Sequence, residues 1–109
     1  MQRKFQISIL TESSAKVGFG HLNRSNILSN EFKKKGHKVY FYKIGDKINN
    51  YSYSEDKTCI DKIKQIKELS DCTIVDTFKK LKEKELNYIK SITKKVILFN
   101  YVNKYKKQS

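Results

Sequence analysis

The feature that most constrains the fold is the alternation of short apolar runs with longer polar segments of helical period. Residues 4–10 (KFQISIL) alternate in polarity, and residues 37–42 (HKVYFY) are rich in β-branched and aromatic side chains, so both predict strands. Residues 21–36 between them space apolar side chains as a helix does. Gly36 stands where a left-handed cap would end that helix.

The second half of the chain continues this alternation. Residues 59–69 place four apolar side chains three apart and predict a helix, whereas residues 43–58 predict a loop. Residues 72–76 (CTIVD) predict a buried strand, residues 81–92 a lysine-rich helix, and residues 94–101 a last strand. The order β-α-β-α-β-α-β predicts an α/β fold: a Rossmann-like parallel sheet of about four strands flanked by helices.

A chain of 109 residues has the length of one domain. We place the Rossmann-like domain at residues 1–101 and a basic tail at residues 102–109. No apolar run approaches the length of a membrane helix, and the N-terminal run is too short for a signal peptide, so we expect a cytoplasmic protein without a membrane partner. Two cysteines and two histidines, widely spaced, do not form a zinc pattern, and neither a metal nor another cofactor is expected.

The formal net charge of +13 raises the question of a nucleic-acid partner. All but two of the basic residues are lysines, although base recognition favours arginine. Residues 79–109 hold ten lysines against two glutamates, with aromatic residues interspersed. This stretch could dock on RNA or on an acidic subunit, but a solvated face is the favoured interpretation, and nucleic acid is not the expected partner.

Two positions stand out because ligands of parallel sheets bind at the carboxyl ends of the strands. One is the turn at residues 11–20 after the first strand, and the other is Asp76 with Thr77 after the third. The turn holds Gly18 and Gly20, where the backbone can approach a ligand closely. The helix that follows presents free N–H groups, which suit an anion.

Several known sites fit this turn poorly. A dinucleotide-binding turn needs a third glycine where Asn23 stands, and the spacing of a phosphate-binding loop is absent. A receiver domain could use Asp76 as its phosphoacceptor, but it needs a pair of acids where the chain has only Glu12. Taken singly, the glycines and His21 also fit plain structural roles at a turn and a helix start.

Taken together, the pattern S-S-x-x-x-G-x-G-H-x-x-R after an apolar strand resembles the PseG-type UDP-sugar hydrolases of pseudaminic acid biosynthesis. That family is similar in fold to the MurG-like glycosyltransferases of the GT-B type. The segments VGFGHLNR, SNEFKKKGHKVYFY and DCTIVDTF match its pattern over much of residues 4–100.

The resemblance implies hydrolysis of a UDP-linked 2,4-diacetamido-2,4,6-trideoxy sugar at its anomeric carbon, with release of UDP and without a cofactor. It implies that His21 is the general base that activates water. Arg24 could pair with Glu12 or Asp76 to hold the loop, or could face phosphate. The substrate-binding residues that the resemblance implies are Ser13, Ser14, Gly18, Phe19, Gly20, Arg24 and Asp76.

The sequence also departs from the family pattern. Glu12 and Phe78 replace an aspartate and a tyrosine, and FNYVN stands where the family tends to show two aspartates. The family has a second domain that holds most of the nucleotide pocket, and its Gly-Gly turn is absent from this sequence. We therefore expect the catalytic half of such an enzyme, which cannot turn over a UDP-sugar efficiently without a separate C-terminal domain or subunit. A subunit or fragment of a nucleotide-sugar glycosyltransferase, a non-catalytic interaction module and an inactive remnant stay open as alternatives.

Overall fold

The computed structural model of the protein describes residues 4–12, 20–44, 57–60, 62–77 and 81–98, with the backbone alone for residues 20–22 and 57. These residues form five strands, two α-helices and one 3₁₀ turn. In chain order they are β1 (Gln6–Glu12), α1 (Gly20–Lys34), β2 (Lys38–Ile44), β3 (Lys57–Ile60), the 3₁₀ turn (Ile63–Gln65), β4 (Ser70–Asp76), α2 (Glu83–Ile92) and β5 (Thr93–Leu98).

The five strands form one sheet in the order β3-β2-β1-β4-β5. Every described strand pair is parallel, so the predicted α/β fold with a parallel sheet is confirmed and is compatible with a Rossmann-like fold. The described sheet has five strands rather than about four, because residues 57–60 add β3 at one edge.

Each face of the sheet has its own apolar core, as the two-residue period of a strand requires. The face that carries Ile9 and Phe41 packs against Leu28 and Phe32 of α1. The opposite face packs against α2 and the segment around the 3₁₀ turn, and its buried residues are Leu10, Tyr42, Ile60, Ile63, Ile66, Val75 and Ile89. Burial on both faces explains why adjacent side chains in the middle of the central strands are apolar, as at Ile9–Leu10 of β1 and Ile74–Val75 of β4.

Helix α1 ends at the predicted glycine. Gly36 has a φ of 88°, in the left-handed region, and its N–H donates to the Lys33 carbonyl at 3.0 Å. The next N–H, that of His37, donates to the Phe32 carbonyl at 3.1 Å. These two bonds form a Schellman cap, which satisfies carbonyls that the helix end leaves open.

The helix predicted over residues 59–69 is wrong. β3 ends at the carboxyl edge of the sheet and β4 starts at the opposite edge, so the intervening residues must cross the sheet. That distance is about 23 Å for a strand of seven residues, whereas nine residues of α-helix would span about 14 Å. Among residues 62–69 only the 3₁₀ turn is helical, and residues 66–69 lead on to β4 without a further helix.

The apolar spacing in that segment nevertheless has a structural meaning. Ile60, Ile63 and Ile66 are all buried in the same core, one at the end of β3, one in the 3₁₀ turn and one just after it. Leu69, the fourth member of the predicted stripe, is 68% exposed. A period of three therefore arises here without an α-helix, since a 3₁₀ turn has three residues per turn.

Other boundaries differ less from the predictions. The predicted loop at residues 43–58 loses its first two residues to β2 and its last two to β3. Residues 45–56 and the predicted tail at residues 102–109 lie outside the described part of the chain. Within the part that is described, no helix is long and apolar enough to cross a membrane.

Candidate functional site

The sheet has a topological switch point between β1 and β4. The chain leaves β1 through α1, which packs on the face of Ile9, and leaves β4 through α2, which packs on the face of Val75. Neighbouring strands whose connections pass over opposite faces leave a crevice at their carboxyl ends, where ligands of open α/β sheets bind. The structure therefore places the candidate site where Thr11 and Asp76 lie side by side.

A row of buried polar side chains crosses the sheet at this level. Lys43 of β2 is in register with Thr11 of β1, and Thr11 is in register with Asp76 of β4. All three lie on the α1 face, and the exposed fraction is 1% for Lys43, 0% for Thr11 and 1% for Asp76. The Thr11 hydroxyl is buried and has no hydrogen-bond partner among the described residues. Buried polar groups cost free energy unless they are paired, so the unpaired Thr11 hydroxyl makes this end of the sheet a candidate site.

An ion pair ties α1 to this row. Arg24 Nε donates to Asp76 Oδ2 at 2.9 Å, and Arg24 Nη2 donates to Asp76 Oδ1 at 2.5 Å. The Ser25 hydroxyl adds a longer contact of 3.3 Å to Asp76 Oδ2. The hydrogen bonds to Asp76 raise the pKa of Arg24, burial of the guanidinium opposes this, and the opposite charge adds to it. Bidentate arginine–carboxylate pairs are among the strongest charge-assisted hydrogen bonds, so this pair fixes the second turn of α1 against the end of β4.

The structure joins two of the predicted site residues and positions the backbone of two others. Arg24 pairs with Asp76, which is one of the arrangements that the sequence left open. Gly20 and His21 are the first two residues of α1, so His21 lies about one turn before Arg24. The predicted residues Ser13, Ser14, Gly18 and Phe19 lie outside the described residues.

Sequence reasoning missed three members of the site. Ser25 lacks any motif, Thr11 was noted only as part of a turn, and Lys43 was assigned to a loop. The alternation Val39, Phe41, Lys43 on one face of β2 was the available signal for the lysine. This pattern is a weak indication of a buried lysine, because lysines are rarely buried even at strand positions that alternate with apolar residues.

Among the residues that the structure describes, no group of three histidine, cysteine or acidic side chains could hold a metal ion. Comparison of the chain with protein-family models, with curated proteins and with solved structures gave no match.

Proposed function

We propose that this chain provides the N-terminal, catalytic domain of a nucleotide-sugar hydrolase, which acts on a UDP-sugar of pseudaminic acid biosynthesis. The observation that supports this most is the Arg24–Asp76 pair, because it holds the start of α1 at the switch point of the sheet. His21 is the second residue of that helix and lies in its first turn. The family resemblance of the G-x-G-H-x-x-R pattern supplies the substrate class.

In the proposed reaction His21 accepts a proton from a water molecule as the water oxygen attacks the anomeric carbon. The new C–O bond forms as the bond from that carbon to the diphosphate breaks, and UDP leaves with the electron pair. A histidine is suited to this role because its ordinary pKa lies near neutrality. The N–H groups at the start of α1 favour the negative charge that develops on the leaving group.

In this proposal Arg24 and Asp76 position the helix, and neither of them reacts. Both carboxylate oxygens of Asp76 already accept bonds from Arg24, and the Asp76 side chain is 1% exposed. A carboxylate held in this way is a poor proton acceptor for water, so the proposal keeps the general-base role that the family resemblance gives to His21. The pair acts through the geometry of α1, since small misplacements of a catalytic group slow a reaction strongly.

A matched pair of histidine variants tests this proposal. The chain has only two histidines, and His37 lies at the opposite edge of the sheet, where its Nδ1 accepts the Phe5 N–H at 3.1 Å. UDP release is measured in a single turnover, with the protein in large excess over the UDP-linked 2,4-diacetamido-2,4,6-trideoxy sugar. His21→Ala should slow release by roughly 10²–10⁴-fold, the usual contribution of a general base, whereas His37→Gln should leave it nearly unchanged.

Two further measurements settle the remaining outcomes. Reaction in ¹⁸O-labelled water should place the label on the sugar, whereas unlabelled product with an acceptor present would indicate glycosyl transfer instead. If turnover is too slow to follow, ring signals of the two histidines report binding by NMR, and only those of His21 should move when the UDP-sugar is added. Equal release from both variants, or unmoved His21 signals, would contradict the proposal.

A further inference from the structure

A second feature of the described chain lies on the other face of the sheet. A groove of about 330 Å³ separates the 3₁₀ turn from the first turns of α2. The 3₁₀ turn follows the carboxyl end of β3, and α2 follows the carboxyl end of β4. The groove therefore opens near the ligand-binding edge of the sheet, but on the face opposite to α1.

The walls of this groove are strongly basic. Lys62 and Lys64 line one wall, and Lys82 and Lys84 line the other. All four are exposed, and none is in an ion pair with another described residue. Glu85 is the single acidic residue of the lining, and its Oε1 accepts the Lys82 N–H at 2.9 Å. Four lysines against one glutamate in so small a lining favour an anionic ligand.

The two walls are held together by Tyr88. Its hydroxyl donates to the Ile66 carbonyl at 2.7 Å and to the Lys64 carbonyl at 3.2 Å. Gln65 Oε1 accepts the Lys62 N–H at 2.8 Å, which stabilises the 3₁₀ turn on its own side. The buried Ile63 and the ring of Tyr88 form an apolar floor. The groove is thus shaped by contacts that exist without a ligand, which lowers the cost of ordering it on binding.

We propose that this groove binds a small molecule that carries a di- or triphosphate group, at a site separate from that of the proposed hydrolysis. Its volume is near the lower end of the range for small-molecule pockets, about 300–1,000 Å³. Lysine ammonium groups bind phosphate as point charges, and the apolar floor suits the body of such a ligand. A nucleic-acid strand fits less well, because the groove lining has one aromatic residue, Tyr88, whereas binding of a strand uses several aromatic side chains for successive bases.

Calorimetric titration of the full chain with tripolyphosphate, and then with UDP, tests the groove. Lys64→Gln combined with Lys84→Gln removes one charge from each wall. The control combines Lys35→Gln with Lys90→Gln, which changes the net charge equally at exposed lysines outside the groove. The groove variant should bind tripolyphosphate about tenfold more weakly, since two charge contacts near solvent are lost, while the control should change binding by less than about twofold.

A variant without any charge change separates shape from charge. Tyr88→Phe removes both hydroxyl contacts between the walls and should also weaken binding, whereas His21→Ala should leave it unchanged. Unchanged binding by His21→Ala is expected even if the chain does not hydrolyse a UDP-sugar, so the two proposals can be refuted separately. The proposal is overturned if no binding occurs, or if the two lysine variants are weakened equally, since the net charge of +13 would then be the whole cause. It is also overturned if an RNA oligomer or polyglutamate displaces tripolyphosphate from the groove lysines and binds there with higher affinity.

Discussion

Replacement of Asp76 by asparagine removes the charge that holds α1 to the end of β4 while keeping the size of the side chain. Asp76 accepts two short bonds from Arg24 and a longer one from Ser25, and its side chain is 1% exposed. Asparagine keeps one acceptor oxygen but turns an N–H group toward the other donor. The structure therefore predicts a loss of stability larger than that of an ordinary surface ion pair.

The magnitude follows from the geometry of the pair. A hydrogen bond to a charged partner contributes about 1.5–3 kcal/mol to the free energy of unfolding. The Arg24 side chain is 54% exposed, so water compensates part of the loss, and we expect about 2–3 kcal/mol for Asp76→Asn. At roughly 4 °C per kcal/mol for a domain of this length, Tm should fall by about 8–12 °C.

Urea unfolding followed by circular dichroism measures this loss, and Glu31→Gln is its matched control. Glu31 is paired with Lys34 on the exposed side of the same helix at 3.5 Å, so the same carboxylate-to-amide change should cost less than about 0.5 kcal/mol. If Asp76→Asn lowers the free energy of unfolding no more than Glu31→Gln does, the Arg24–Asp76 pair does not hold α1. In that case the pair does not position His21 either.

The pH dependence gives an independent check on the same pair. Because the pKa of Arg24 is raised, its stabilisation is present throughout the neutral range and is lost only at strongly alkaline pH. Arg24→Gln would remove two charge-assisted hydrogen bonds from the buried Asp76 carboxylate and should cost about 2–3 kcal/mol near neutrality, since water compensates part of the loss at the half-exposed Arg24. Protonation of that carboxylate should then narrow the difference in stability from the unsubstituted protein as the pH falls from neutrality into the acid range. A difference that stays constant over this range would contradict the assignment.

Three smaller predictions concern other parts of the described chain. Gly36→Ala should cost about 1–2 kcal/mol, because an alanine is strained at a φ of 88°. The new Cβ would add no clash, since it would lie in ordinary contact at 3.6 Å from Lys4 Cε. A neutral result by urea unfolding would contradict the left-handed cap. Ile89→Ala should cost about 2–5 kcal/mol, because the side chain is fully buried, and a loss below about 1 kcal/mol would show that α2 is not packed on the sheet. Burial raises the pKa of the Cys72 thiol, so iodoacetamide at about pH 8 should modify the exposed Cys59 first. Mass analysis of peptides would show the order of modification, and the reverse order would contradict the partial burial of Cys72.

Local patterns were sufficient for much of the architecture. The cap at Gly36 was predictable because only glycine takes a left-handed φ at little cost, and the structure has that φ of 88° there. The central strands were predictable because side chains in the middle of each are buried on both faces, which gives short apolar runs such as Ile74–Val75. The order of these elements then left a parallel sheet with helices on its faces as the simplest arrangement.

The candidate site was only partly predictable. Position in a parallel sheet pointed to Asp76 in advance, since a ligand edge is a property of the fold class. The pairing of Arg24 with Asp76 depends on how α1 crosses the sheet, which no local pattern encodes. The burial of Lys43 likewise depends on β1 and β3 lying on either side of β2.

The amino-acid sequence alone determined the α/β class, the end of α1 and the edge of the sheet where a ligand would bind, because each follows from backbone preference or from burial within one element. Only the tertiary structure decided the path of residues 62–69, the fifth strand and the pairing of Arg24 with Asp76. These depend on distances between elements far apart in the chain, and the spacing of residues within one segment carries no information about them.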